Sequence, residues 1–195
     1  MKQFSLLTPL VTLGIFLLPF FDTHPATCIP DKPANKFSSE MATIMKSMKT
    51  YTLAVADTMP EKYYDYRPTP GVRTFAEQMK HLTVTMKTQS GYFLHNRPIT
   101  LREIINLLSE YEKKPLNKKQ IMEDMSEAFD LTITTLENMN PDELDMTYDL
   151  HIPGIPAKPL SVWAMGMRDH ISHTRAQAIM YLRAKGIVPP QYTPF

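Results

Sequence analysis

Prolines cut this chain into segments, and within the long segments apolar residues recur at the spacing of a helix. Met41, Ile44, Met45, Met48, Tyr51, Leu53 and Val55 mark a first helix from Ser38 to about Thr58, stopped by Met59-Pro60. Thr74-Phe75-Ala76-Glu77 has the residues of a capping box and opens a second helix that runs to about Leu94. Asn117 caps a third long helix, with Ile121, Met125, Phe129, Ile133 and Leu136 on one face, and Asn140-Pro141 breaks it after Met139. A fourth runs from about Leu160 to Lys185, closed by Gly186 and stopped by Pro189-Pro190. Leu101 to Tyr111 reads as a short extra helix, and Met146 to Ile152 as a short extended piece. Four long amphipathic helices with one short accessory helix predict an all-α fold, a four-helix bundle. The 14 methionines against 6 glycines suit an adaptable helical core better than a sheet dense in tight turns.

The 195 residues suffice for one domain with a sizeable core. Lys plus Arg (21) nearly balances Asp plus Glu (20), so no charge field points to a nucleic-acid partner or an anionic membrane surface. Lys2 followed by the uncharged, mostly apolar run Phe4 to Phe21 has the order of parts of a secretory signal. Residues 1–28 are therefore expected to be removed, at a cleavage site the sequence leaves open, and the mature protein to be periplasmic or secreted. An uncleaved run would instead anchor the chain in a membrane. The single cysteine, Cys28, excludes an intramolecular disulfide and a cysteine-based metal site. Residues 29–37, polar and Pro-bearing, read as a linker, and 38–192 as the domain.

The chemistry-bearing residues are histidines. At about 100° per residue, Trp163 and Tyr181 lie close to His170 around the last helix, and Thr174 falls at about +40° from it, toward the apolar stripe. His173 falls at about −60°, further toward solvent. His81 in the second helix sits among Thr74, Glu77, Thr85, Thr88 and Tyr92, a polar seam that suits either a cleft or open water. Read singly, His170 fits a hydrogen-bonded boundary residue as well as a metal ligand, and His173 fits a solvated one. Glu77, one turn from His81, is placed to orient it or to form an exposed pair. Arg175 lies off the seam and is expected in a structural salt bridge, while Gln177 and Tyr181 point toward His170. Methionine stripes on the first and third long helices offer contact surfaces for a homodimer, or else fill the core. No Ser-His-Asp order and no phosphate-cradling glycine loop competes.

Three motifs, in this order and spacing, carry a resemblance. They are Met59-Pro60-Glu61-Lys62-Tyr63-Tyr64-Asp65-Tyr66-Arg67-Pro68-Thr69-Pro70, then Arg73-Thr74-Phe75-Ala76-Glu77-Gln78-Met79-Lys80-His81-Leu82, then Asp169-His170-Ile171-Ser172-His173-Thr174-Arg175-Ala176-Gln177 continuing through Tyr181-Leu182-Arg183-Ala184-Lys185-Gly186. Over about residues 38 to 192 the chain resembles the DinB-like superfamily, and within it the secreted bacterial branch. The resemblance implies a four-helix bundle holding a divalent metal, zinc or nickel, through three histidines, one from the second helix and two spaced i, i+4 on the last. His81 and His170 match the first two, and Thr174 stands at the third. His173 matches an additional histidine of the family, and a small helix rotation would let it serve as the third ligand. Ala176 replaces the usual glycine. Members with assigned activity are mostly thiol-dependent S-transferases. The expectation is a divalent-metal-dependent transferase or hydrolase acting on a small molecule, with candidate ligands His81, His170 and His173. The alternative is a non-catalytic bundle for binding or interaction that has lost its metal.

Overall fold

The computed structural model describes residues 36–192, so the segment read as a signal and the linker as far as residue 35 lie outside the described residues. Lys36 and Phe37, assigned to the linker from sequence, already belong to the first helix, α1 (Lys36–Thr58). It is followed by α2 (Phe75–Thr88), α3 (Leu101–Glu112), α4 (Lys118–Asn138) and α5 (Leu160–Ala184).

Local chemistry sets most of the helix ends. At the start of α2, Glu77 N–H donates to Thr74 Oγ1 (3.1 Å) while Thr74 N–H donates to Glu77 Oε2 (2.7 Å). The same reciprocal box opens α3 through Thr100 and Glu103, and α4 through Asn117 and Gln120. Each box satisfies two of the backbone donors that a helix start leaves unpaired. At the end of α5, Gly186 takes a left-handed φ of +71°, its N–H donates to Arg183 O (2.9 Å), and Ile187 N–H donates to Leu182 O (2.9 Å). That arrangement favours a residue without a Cβ at Gly186. The second helix continues beyond Thr88 as one wider π-type turn, Gln89–Phe93, which accounts for the helical signal as far as Leu94.

The long helices close into a ring. α1 packs on α4 and α5, and α2 packs on α4 and α5 from the opposite side, so α1 and α2 are diagonal partners. α3 lies outside the ring, against α2. The interior is rich in methionine: Met41, Met45, Met48, Met79, Met86, Met125 and Met167 are all buried, with Phe75 and Phe129 among them. Met41, Met45 and Met48 of α1 and Met125 of α4 face the molecule's own core, while Met122 of α4 stays partly exposed. The extended piece is shorter than the sequence suggests. Only Thr147–Tyr148 (β1) pairs, antiparallel, with Lys158–Pro159 (β2), and Pro159 has no N–H with which to extend the ladder. A small second cluster of Phe93, Tyr148, Leu150 and Leu160, with Trp163 beside it, holds this hairpin to the base of α5. Among the described residues no helix is long and apolar enough to cross a membrane.

Candidate functional site

The ring brings His81 of α2 and His170 of α5 together across the seam between those helices. Their rings meet edge to face with centroids 5.3 Å apart. Both are partly buried. His81 Nδ1 lies 2.8 Å from Oε1 of Glu112, the last residue of α3. That contact makes Nδ1 the protonated nitrogen of a neutral ring and leaves the Nε2 lone pair free. Glu112 is itself held from two directions. Arg73 grips its carboxylate with Nη2 (3.2 Å) and Nε (3.3 Å), and the buried Lys80 donates through Nζ to the Glu112 carbonyl and to Lys114 O (2.9 Å). Tyr181 OH donates to Arg73 O (2.7 Å), fixing the loop that carries the guanidinium.

Burial pushes the His81 pKa below its ordinary value; the bond to Glu112 works against that shift and the nearby Arg73 charge adds to it. His170 falls further, from 6.5 to about 4, through burial first and then through repulsion from His81, His173 and Arg73. Both imidazoles are thus neutral near pH 7, with lone pairs available. A base with a pKa of about 4 is poorly matched to abstracting protons at neutral pH, but it suits a ligand, which must be unprotonated to bind. Beside the pair opens a cleft of about 770 Å³ lined by Arg73, Glu77, Gln78, Glu112, Gln177 and Tyr181 among others. The two imidazoles are not part of its wall. Glu112 is the residue that belongs to both.

The model of the DinB superfamily matches residues 45–178. The chain belongs to the DinB superfamily. Two solved structures share its fold: a DinB-like protein from Bacillus subtilis, at a TM-score of 0.60 and 15% identity over 80% of this chain and 96% of that one, and a DinB-like protein from Bacillus cereus, at 0.60 and 15% over 78% and 95%. No curated protein sequence matches the chain.

As a member of this superfamily the protein can be tested for the metal that the resemblance implies. Two imidazoles on one tetrahedral zinc, with Zn–N bonds of roughly 2.0 Å, stand about 5 Å apart between ring centres, and the His81–His170 separation of 5.3 Å agrees. The third place differs. Thr174 is 1% exposed, and its hydroxyl lies 3.5 Å from His170 Nε2. His173 is exposed on the flank of α5, where its Nε2 is 3.0 Å from the Gln177 side-chain nitrogen; it is not brought into the pair. Among the described residues no three His, Cys, Asp or Glu side chains form a group that could hold an ion. The donors present fit an ion held by two histidines and completed by exogenous ligands, and they do not fit a three-histidine centre.

Two sequence expectations need correction. Glu77 does not orient His81: its carboxylate closes the α2 cap and faces Arg67 at 3.6 Å, and Glu112 takes the role instead. Arg175 forms no salt bridge among the described residues. It is buried, donates from Nη1 to Thr52 Oγ1 (3.2 Å) and stacks on the Tyr51 ring. Gln177 and Tyr181 line the cleft, whose wall does not include His170.

Proposed function

We propose that this protein is a metal-dependent enzyme, a transferase or hydrolase of a small molecule, whose ion is held by His81 and His170. The observation that carries this reading is the Arg73–Glu112–His81 chain. A carboxylate that holds the Nδ1 proton of a histidine raises the ligand strength of Nε2 and locks the ring's direction. Here that carboxylate sits in the wall of a substrate-sized cleft. A bound divalent ion would act there as a Lewis acid on a coordinated water or thiol. The protein's own residues do the rest. Glu112 keeps the His81 proton on Nδ1, Arg73 adds a partly exposed positive charge for an anionic portion of the substrate, and the Gln78 and Gln177 amides, hydrogen-bonded to each other, supply neutral donors and acceptors along the wall.

Metal analysis of protein purified without chelator tests the proposal. Zinc or nickel should be present below one equivalent in wild type and absent from His81→Ala and His170→Ala. Equal metal content in all three proteins would refute it. One observation favours the second reading, a bundle that binds without catalysis: threonine is a weak neutral ligand at the place where the superfamily pattern has a histidine. Metal-free wild type that takes up no ion even with excess zinc would decide for that reading.

A further inference from the structure

Away from the histidines, on the seam between α1 and α5, a second pocket of about 300 Å³ is lined by Ser47, Tyr51, Arg168, Ser172, Arg175 and Tyr192 among others. Arg175 dominates its chemistry. The residue is 8% exposed and has no carboxylate partner among the described residues. Nη1 is used on Thr52, and the guanidinium carbon lies 4.8 Å above the centre of the Tyr51 ring. The other N–H groups of the fork have no protein acceptor among the described residues. Burying a charge is costly unless it is paired and hydrogen-bonded. Burial accordingly presses the Arg175 pKa below its ordinary value, with the neighbouring Tyr51 and Tyr192 opposing the shift.

The rest of the lining is arranged for the same sign. Arg168 adds a second guanidinium, and Asp169, the one carboxylate in the wall among the described residues, already accepts from Arg168 Nε (3.2 Å) and Nη2 (2.9 Å). That pair is close to neutral, so the pocket keeps the net positive charge of Arg175. Ser47 and Ser172, one from each helix, line the pocket with hydroxyls that make no hydrogen bond to the protein among the described residues. A carboxylate presents acceptors in one plane, which a single fork satisfies. Here donors come from a fork and from hydroxyls on two helices, an arrangement suited to the three or four acceptor oxygens of a tetrahedral anion.

We propose that this α1–α5 pocket is a binding site for a phosphate-type oxyanion, held by Arg175, Ser47 and Ser172. It is separate from the histidine pair, which lies on the α2–α5 seam, and it does not depend on a metal.

The test is a titration of the full chain with inorganic phosphate in chelator-treated buffer, followed by calorimetry and by NMR of arginine Nε–Hε and backbone amide signals. Saturable binding should shift the Arg175 side-chain signal and the amides of Ser47 and Ser172, sulfate should compete, and acetate should not. Replacing both hydroxyls (Ser47→Ala with Ser172→Ala) should weaken phosphate binding about tenfold while leaving the fold intact, as loss of hydrogen bonds to a charged ligand predicts. Arg175→Lys, which keeps the charge and loses the fork, should weaken it at least as much; if that variant does not fold, the serine pair decides alone. Absence of saturation at about 10 mM phosphate, well above the millimolar affinity expected of a weak specific site, would overturn the proposal. So would shifts confined to Arg73, or an affinity untouched by the serine replacements.

Discussion

His81 and Glu112 show how much of a site depends on one contact. A histidine whose Nδ1 has no partner can rotate and exchange tautomers, and a ligand that moves binds weakly. With the 2.8 Å bond to Glu112 in place, the ring keeps its direction and its Nε2 lone pair. Glu112→Gln keeps the shape and removes the charge, and it should lower zinc affinity about 10- to 100-fold in a calorimetric titration. An unchanged affinity would remove Glu112 from the site. A second prediction concerns pH in the metal-free protein. The folded-state pKa of His170 lies near 4, below its ordinary 6.5, so at intermediate pH the unfolded chain binds a proton that the folded chain does not. The stability associated with neutral His170 is therefore complete above about 6.5 and is lost as pH falls toward about 4, and His81 adds a contribution of the same sign. Urea midpoints measured across that range with chelator present should fall less steeply for His170→Asn than for wild type; parallel curves would contradict the assignment. Helix angles left His81 and His170 open between a cleft and open water or a boundary position, and it was the resemblance to the superfamily's motifs that put the two histidines together. Glu112 was not legible in the sequence, because 31 residues separate it from His81 and only the docking of α3 joins them. Glu77, one turn from His81, is committed to the capping box that Thr74-Phe75-Ala76-Glu77 already spells out in the sequence.

At the scale of elements, α3 changes its meaning. The sequence marks a short accessory helix there; the structure makes it the arm that delivers Glu112 to His81 and to the wall of the cleft. Its outer face carries exposed Leu101 and Ile105, so little burial holds its N-terminal half. Its position rests on its ends: the Thr100–Glu103 box at one, and Lys80 with Arg73 at the other. Thr100→Ala should cost about 1 kcal/mol where α3 unfolds with the rest, and should raise amide exchange across 101–112 before it affects α1 or α4. Uniform exchange through all five helices would show α3 to be no weaker than the ring. The helix starts at Phe75 and Lys118 could be read from Thr74 and Asn117, since a cap is a local event. The strand pair could not, because Thr147 meets Pro159 only after the chain has turned through the positive-φ residues His151 and Gly154.

For the whole molecule, the diagonal placement of α1 and α2 creates two separate seams along α5. One seam, with α2, holds the neutral histidines; the other, with α1, holds the buried Arg175. Periodicity and proline punctuation were enough to give the helices of the bundle, and Met41, Met45, Met48 and Met125 found their place inside it. The helix angles already set Thr174 on the apolar side of His170 and His173 toward solvent, and the structure buries Thr174 beside His170 and turns His173 out to Gln177. Two histidines and a threonine occupy the place of the three-histidine centre that the resemblance implies, and calorimetric zinc titration of wild type, Thr174→His and His173→Ala puts this to the test. Wild type should bind weakly, Thr174→His about tenfold or more tightly, and His173→Ala like wild type, because an imidazole at 174 adds a donor where the hydroxyl is a poor one. Tight stoichiometric binding by wild type that disappears in His173→Ala would contradict the claim.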